Sequence, residues 1–122
     1  MKFSLDQIDE NLVINGYGPG EVAVGAHIYR SSLLVTPNGV VADWGPESAA
    51  DICAEHLAVI LGYQPELLVL GTGEQQVFPS PGLFAELMAA GVGYEVMNTP
   101  AACRTYNILL GEGRRVVAAL LL

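Results

Sequence analysis

At 122 residues the chain is long enough to bury a real core and reads as one domain, residues 1–122. Hydrophobic residues make up 52% and charged residues only 15%, so either the core is thoroughly covered or some apolar surface meets a partner. Five basic against thirteen acidic side chains leave a net charge of −8, which repels phosphate backbones and anionic lipid and argues against nucleic acid and membrane surfaces as partners.

The first residues predict no targeting segment. Met1 to Leu5 is followed at once by Asp6, Asp9 and Glu10, which spoil both a signal peptide and a basic transit peptide and read instead as a solvated turn. No apolar run approaches a membrane span; Val116 to Leu122 is far too short. Cys53 and Cys103, on separate predicted helices, form neither a disulfide framework nor a zinc site. These features favour the cytoplasm.

Leu12-Val13-Ile14 leads into Asn15-Gly16-Tyr17-Gly18-Pro19-Gly20, a glycine-dense turn. From Val22 to Ile28 apolar residues recur at every second position, predicting one strand with one buried face and His27 on the outer side. Ser32–Thr36 and Val40–Trp44 flank Pro37-Asn38-Gly39, and Asn-Gly between two apolar runs predicts a hairpin. The spacing from Glu47 to Leu61 predicts a helix ended by Gly62, with Ala50, Cys53, Ala54, Leu57, Ile60 and Leu61 on its core face. Ile52 and Val59 fall on its polar side, and His56 flanks the core stripe as a surface histidine.

The stretch from Glu66 to Asn107 organises the rest. Leu67-Leu68-Val69-Leu70 is a continuous apolar run, as a strand covered on both faces would be, and Gly71-Thr72-Gly73 ends it. Ser80-Pro81 starts a helix that buries Leu83, Phe84, Leu87 and Met88 and stops at Gly91. Gly93 to Met97 is the next strand, and Thr99-Pro100 repeats the cap-plus-proline start. On the helix Pro100–Leu110, Ala101, Ala102, Thr105, Tyr106, Ile108 and Leu109 share one side, while Cys103, Arg104 and Asn107 share the other. Two strands joined by a helix are parallel neighbours, so the loops after Leu70 and Met97 leave the same sheet edge, where open α/β sheets hold ligands. Val116 to Leu122 is a last strand.

Leu68 to Gly73, Gly93 to Thr99, Ala101-Ala102-Cys103-Arg104-Thr105-Tyr106-Asn107-Ile108-Leu109 and Glu112 to Val116 together resemble one small family. It is the bacterial and archaeal family related to the third mitochondrial assembly factor of respiratory complex I and to a vertebrate adipogenesis-associated protein. Gly16-Tyr17-Gly18, Ser31 to Val35, Pro37 and Trp44 also fit. The resemblance implies a three-layer α/β domain: a mixed central sheet, helices on one side and an antiparallel β portion from the N-terminal third on the other. It implies no enzymatic activity or cofactor. The mitochondrial relative works by binding assembly intermediates, so the resemblance implies a protein partner, with a homo-oligomer also open.

Two functional readings follow. In the first, the chain is a non-catalytic binding domain with an assembly-factor-like role. In the second, Gly71, Thr72, Gly73, Thr99, Arg104 and Asn107 form a small-anion or small-molecule site, with an enzymatic use left open, because a helix N-terminus presents unpaired amides and Arg104 adds a forked cation. Against the second, Thr99 can be a plain helix cap and Arg104 can pair with Glu74, Glu95 or Glu112. Cys103 sits beside Arg104 early in a helix, which lowers a thiol pKa, but His27 and His56 lie on distant elements and no base can be assigned. No acidic cluster has metal-ligand spacing, and no hydrolase elbow, Walker sequence or zinc motif is present.

Overall fold

The computed structural model describes residues 9–122; the N-terminal reading through Asp6 lies outside them. Asp9 accepts the Asn11 amide at 2.9 Å and caps a 3-10 turn, Glu10–Leu12. Three short strands follow, β1 (Ile14–Gly18), β2 (Glu21–Val24) and β3 (His27–Tyr29), paired antiparallel in that order. The single strand expected from Val22 to Ile28 is therefore a hairpin. Gly25 takes φ +57° and turns the chain, pairing Val24 with His27 and Val22 with Tyr29. A Cβ there would also stand 2.7 Å from the Asn11 carbonyl oxygen. The turn resets the alternation, so Val22 and Val24 are buried while Ile28 is 52% exposed.

The expected hairpin is present as β4 (Leu33–Thr36) and β5 (Gly39–Ala42), with Val35 opposite Val40. Trp44 lies just beyond it, buried, its indole donating to the His56 carbonyl at 3.1 Å. The helix expected over Glu47–Leu61 is shorter. A 3-10 turn covers Ala49–Asp51, Ile52 and Cys53 are extended, and α1 runs only from Ala54 to Leu61. That two-residue break rotates the faces: Ile52 drops into the core and Cys53 turns out to solvent. His56 Nδ1 accepts the Cys53 amide at 3.0 Å, so this histidine serves the helix start.

The second half supplies the centre. β6 (Leu67–Thr72) leads through a 3-10 turn (Pro81–Phe84) into short α2 (Ala85–Ala89), β7 (Gly93–Met97), α3 (Thr99–Gly111) and β8 (Val116–Leu121). The main sheet has the order β5-β4-β8-β6-β7, with β8, β6 and β7 parallel and β4 antiparallel to β8. β6 and β7 pair from Leu67–Gly93 to Gly71–Met97, so their loops leave one common edge as expected. All six β8 residues are buried, as a strand covered on both faces requires. On the outer strand β7, the Val96 carbonyl accepts the Gln76 side-chain amide at 2.8 Å.

Each face of this sheet carries a layer. Leu68, Leu70, Val117 and Ala119 pack against Leu57 and Ile60 of α1 and Leu87 of α2. Val69, Val116, Ala118 and Leu120 pack against α3, and the inner face of β1 and β2 joins them through Ile14, Val22 and Val24. The three-layer α/β fold is thus present, with the longest helix sharing its layer with the small sheet.

Two helix faces differ from expectation. Met88 is 63% exposed, because a 3-10 turn of tighter pitch precedes α2 and shifts its angular register; Phe84 and Leu87 are buried as expected. On α3 the buried residues are Thr99, Ala102, Cys103 and Tyr106, while Ile108 is 62% exposed. Small side chains let α3 lie close to the sheet. A Cβ on Gly71 would come within 2.9 Å of Thr99 Oγ1 and 3.0 Å of the Ala102 Cβ, so glycine is what permits the approach. Gly71→Ala should therefore destabilise the fold by about 1–3 kcal/mol in chemical denaturation, the cost of overpacking. Gly82→Ala, where nothing stands within 4 Å, should leave the midpoint nearly unchanged.

Candidate functional site

Most polar groups that the sequence nominates are spent inside the fold. Asn98, rather than Thr99, caps α3: its side chain accepts the Ala101 amide at 2.8 Å. Thr99 is buried. Its hydroxyl accepts the Gly73 amide at 2.8 Å and donates to the Leu121 carbonyl, while its own amide donates to the Gly73 carbonyl at 2.8 Å. One threonine thus ties the carboxyl ends of β6 and β8 to the start of α3. Thr72 closes the loop after β6: its hydroxyl donates to the Gln75 carbonyl at 2.6 Å and accepts the Val77 amide at 3.0 Å.

Asn107 faces β1. It donates to the Ile14 carbonyl at 2.7 Å and accepts the Ile14 amide at 2.9 Å, replacing a missing neighbour strand. Arg104 is exposed and donates to the Tyr17 hydroxyl at 2.7 Å. Among the described residues Arg104 makes no ion pair; Glu66 is instead engaged by Arg114 at 3.2 Å, at the opposite edge of the sheet. There the Arg115 amide and the Arg114 side chain hold the Glu66 carboxyl below its ordinary range.

Cys103 does not share a polar face with Arg104 and Asn107. It is 1% exposed, and burial pushes its thiol up to about 11 against the weaker opposing pull of Arg104. An early helical position beside a cation fails to activate it because desolvation of the thiolate outweighs both. Tyr106, beside it, donates to the Leu12 carbonyl at 2.9 Å; burial first, and then the Asp9 charge, holds its phenol far above the ordinary range.

The common edge does open into a cleft, of about 240 Å³. One wall is the turn Tyr17–Gly20; the other is made by Gly73, Pro100, Leu121 and Leu122, with Glu74 as the charged side chain in its lining. The opposite wall could not be placed from sequence, since nothing local says that the glycine-rich turn folds over the β6 and β8 ends. Three amides at the strand ends and helix start are engaged within the fold: Gly73 with Thr99, Thr99 with Gly73 and Ala101 with Asn98. Among the described residues no group of His, Cys, Asp and Glu is arranged to hold a metal ion.

This architecture belongs to a known family. Residues 14–121 match the family described as protein of unknown function DUF498/DUF598, and the chain is a member of it. An uncharacterised protein of Rhodobacter capsulatus is 40% identical over 90% of this chain and 84% of its own. A Francisella tularensis protein named 13 kDa major membrane protein is 36% identical over 95% of each chain. The zebrafish protein named NADH dehydrogenase (ubiquinone) 1 alpha subcomplex assembly factor 3 is 33% identical over 89% of this chain and 63% of its own. Among solved structures, a Bordetella parapertussis protein superposes with a TM-score of 0.84 at 44% identity, covering 89% of this chain and 93% of that one. A Bordetella pertussis protein described as an Mth938-like domain gives 0.82 at 35% identity, covering 99% and 92%. The expected kinship with complex I assembly factors holds. As to membranes, no helix of the described residues is long and apolar enough to cross one.

The two thiols should separate cleanly. Native protein should react with a thiol reagent at exposed Cys53 alone, and at Cys103 only after denaturant is added, as counted by mass spectrometry. Alkaline stability follows from the same burial. Unfolded, Cys103 loses its proton near 9.0; folded, it holds it to about 11, so above the lower value the native state binds more protons than the unfolded one. Stability should be flat below that window and fall as pH rises through it, less steeply in Cys103→Ala, read from urea midpoints.

Proposed function

We propose that this chain is a non-catalytic domain that works by binding protein partners, in an assembly-factor-like role. The observation that carries the reading is the state of the strand-end cleft. Its lining is mostly apolar, and the Thr72 and Thr99 hydroxyls and the Gly73, Thr99 and Ala101 amides beside it are engaged within the fold. Such a cleft accepts an apolar side chain more readily than a charged metabolite. The zebrafish relative's name supports the reading from outside the structure. The same proposal places the protein in the cytoplasm as a peripheral or soluble species; the Francisella relative's name makes membrane fractionation the measurement that decides this.

The competing reading takes Gly71, Thr72, Gly73, Thr99, Arg104 and Asn107 as a small-anion site. Exposed Arg104 beside the cleft favours it; the engaged amides and the Glu74 carboxylate weigh against it. Co-purification and thermal melting with added anions separate the two. The tagged full chain should co-purify a partner whose binding is reproduced with both proteins purified, while phosphate and acetate leave the melting temperature unchanged. Arg104→Ala should lower that temperature slightly, by the loss of one exposed hydrogen bond of about 0.5–1.5 kcal/mol. A melting temperature that climbs with phosphate, and stops climbing in Arg104→Ala, would put the anion there instead.

A further inference from the structure

The outer layer of α1 and α2 bears an apolar surface that neither the core nor the strand-end cleft uses. Phe78 is 69% exposed and Val77 46% exposed, on the loop that leaves β6. They border a groove of about 480 Å³ whose other walls are Ala49, Ile52, Pro79 and Leu83. A large aromatic left in water beside a groove marks a contact surface more often than an isolated exposed side chain does. The loop is also held in place. The Thr72 hydroxyl accepts the Val77 amide at 3.0 Å, and the Gln76 side chain donates to the Val96 carbonyl at 2.8 Å, immediately before Phe78. A ring presented this way loses little freedom on binding.

Charge decides what the groove can take. No Lys or Arg occurs between Arg30 and Arg104, whereas eight Asp or Glu do. The elements that form the groove therefore carry acids alone: Asp51 at the end of the Ala49 turn, Glu74 at the head of the loop and Glu86 just past Leu83, all exposed. A second copy would bring the same acids against these, and anionic lipid or nucleic acid would be repelled likewise. A partner with the opposite pattern would gain both apolar burial and charge pairing.

We propose that the Phe78 groove docks a basic amphipathic segment of a partner protein. The segment sets an apolar side chain between Phe78 and Leu83, with Lys or Arg against Asp51 and Glu86. The inference rests on the protein-binding reading and names one surface for it.

The test uses the full chain and three labelled peptides of equal length in fluorescence anisotropy. One has a Leu face and a Lys face at helical spacing, one has Glu in place of Lys, and one is the Lys peptide scrambled so that it has no apolar face. The first should bind, and should weaken as salt rises; the other two should not. Phe78→Ser should weaken it about tenfold or more, as loss of an anchoring aromatic does, with an unchanged melting temperature because the ring is exposed. Ile28→Ser, on the small sheet, should bind as the parent does. Equal binding by parent and Phe78→Ser overturns the proposal, as does a dimer in sedimentation that Phe78→Ser dissolves, or Phe78-dependent capture by phosphatidylcholine vesicles. Should Phe78→Ser still bind the partner purified by co-purification, the Phe78 surface falls and the protein-binding reading stands. Should that partner also fail to bind the parent chain, the broader reading falls.

Discussion

The close approach of α3 to β6 is the constraint on which the rest of the molecule depends. It exists because position 71 has no side chain and because positions 99, 102 and 103 carry small ones. Once α3 lies that near, the Thr99 hydroxyl reaches both the Gly73 amide and the Leu121 carbonyl, and two parallel strands end in register with a helix start. The same approach carries Asn107 and Tyr106 to the backbone of Ile14 and Leu12, which docks the small sheet. A bulkier contact at Gly71 would therefore disturb the sheet end, the helix and the N-terminal layer together.

That packing decides how the polar residues are used. Thr99, and within the Ala101–Leu109 signature Tyr106 and Asn107, each satisfy backbone groups that would otherwise be orphaned at a buried junction. These bonds tie the sheet end, the helix start and the small sheet together.

Much of the fold could be read from the chain. The apolar run at Leu67–Leu70, the Asn38-Gly39 turn and the Thr99-Pro100 start each carry a local signal strong enough to fix an element, and two parallel strands sharing an edge followed from them. Helix faces were less legible. On α3 periodicity places Ile108 on the core side and Cys103 on the other, because it cannot weigh how closely a helix lies to its sheet; on α2 the 3-10 turn before it shifts the count and puts Met88 outside. Cys53 was misread for another reason: a two-residue break ahead of α1 ends the angular count on which the assignment stood. Of the candidate site, the rim residues were legible and the opposing Tyr17–Gly20 wall was not, since that contact joins segments far apart in the chain.

The position of β8 has a consequence for biosynthesis. It follows every other described strand in the chain yet occupies the middle of the five-stranded sheet, between β4 and β6. On a ribosome, β4–β5 and β6–β7 emerge as two separate pairs with no shared neighbour. The two pairs have no hydrogen bonds to each other until β8 is available to lie between them. Pairings of such long sequence separation fold slowly and leave strand edges uncovered meanwhile, so the nascent chain, more than the finished one, is the form that calls for chaperone protection.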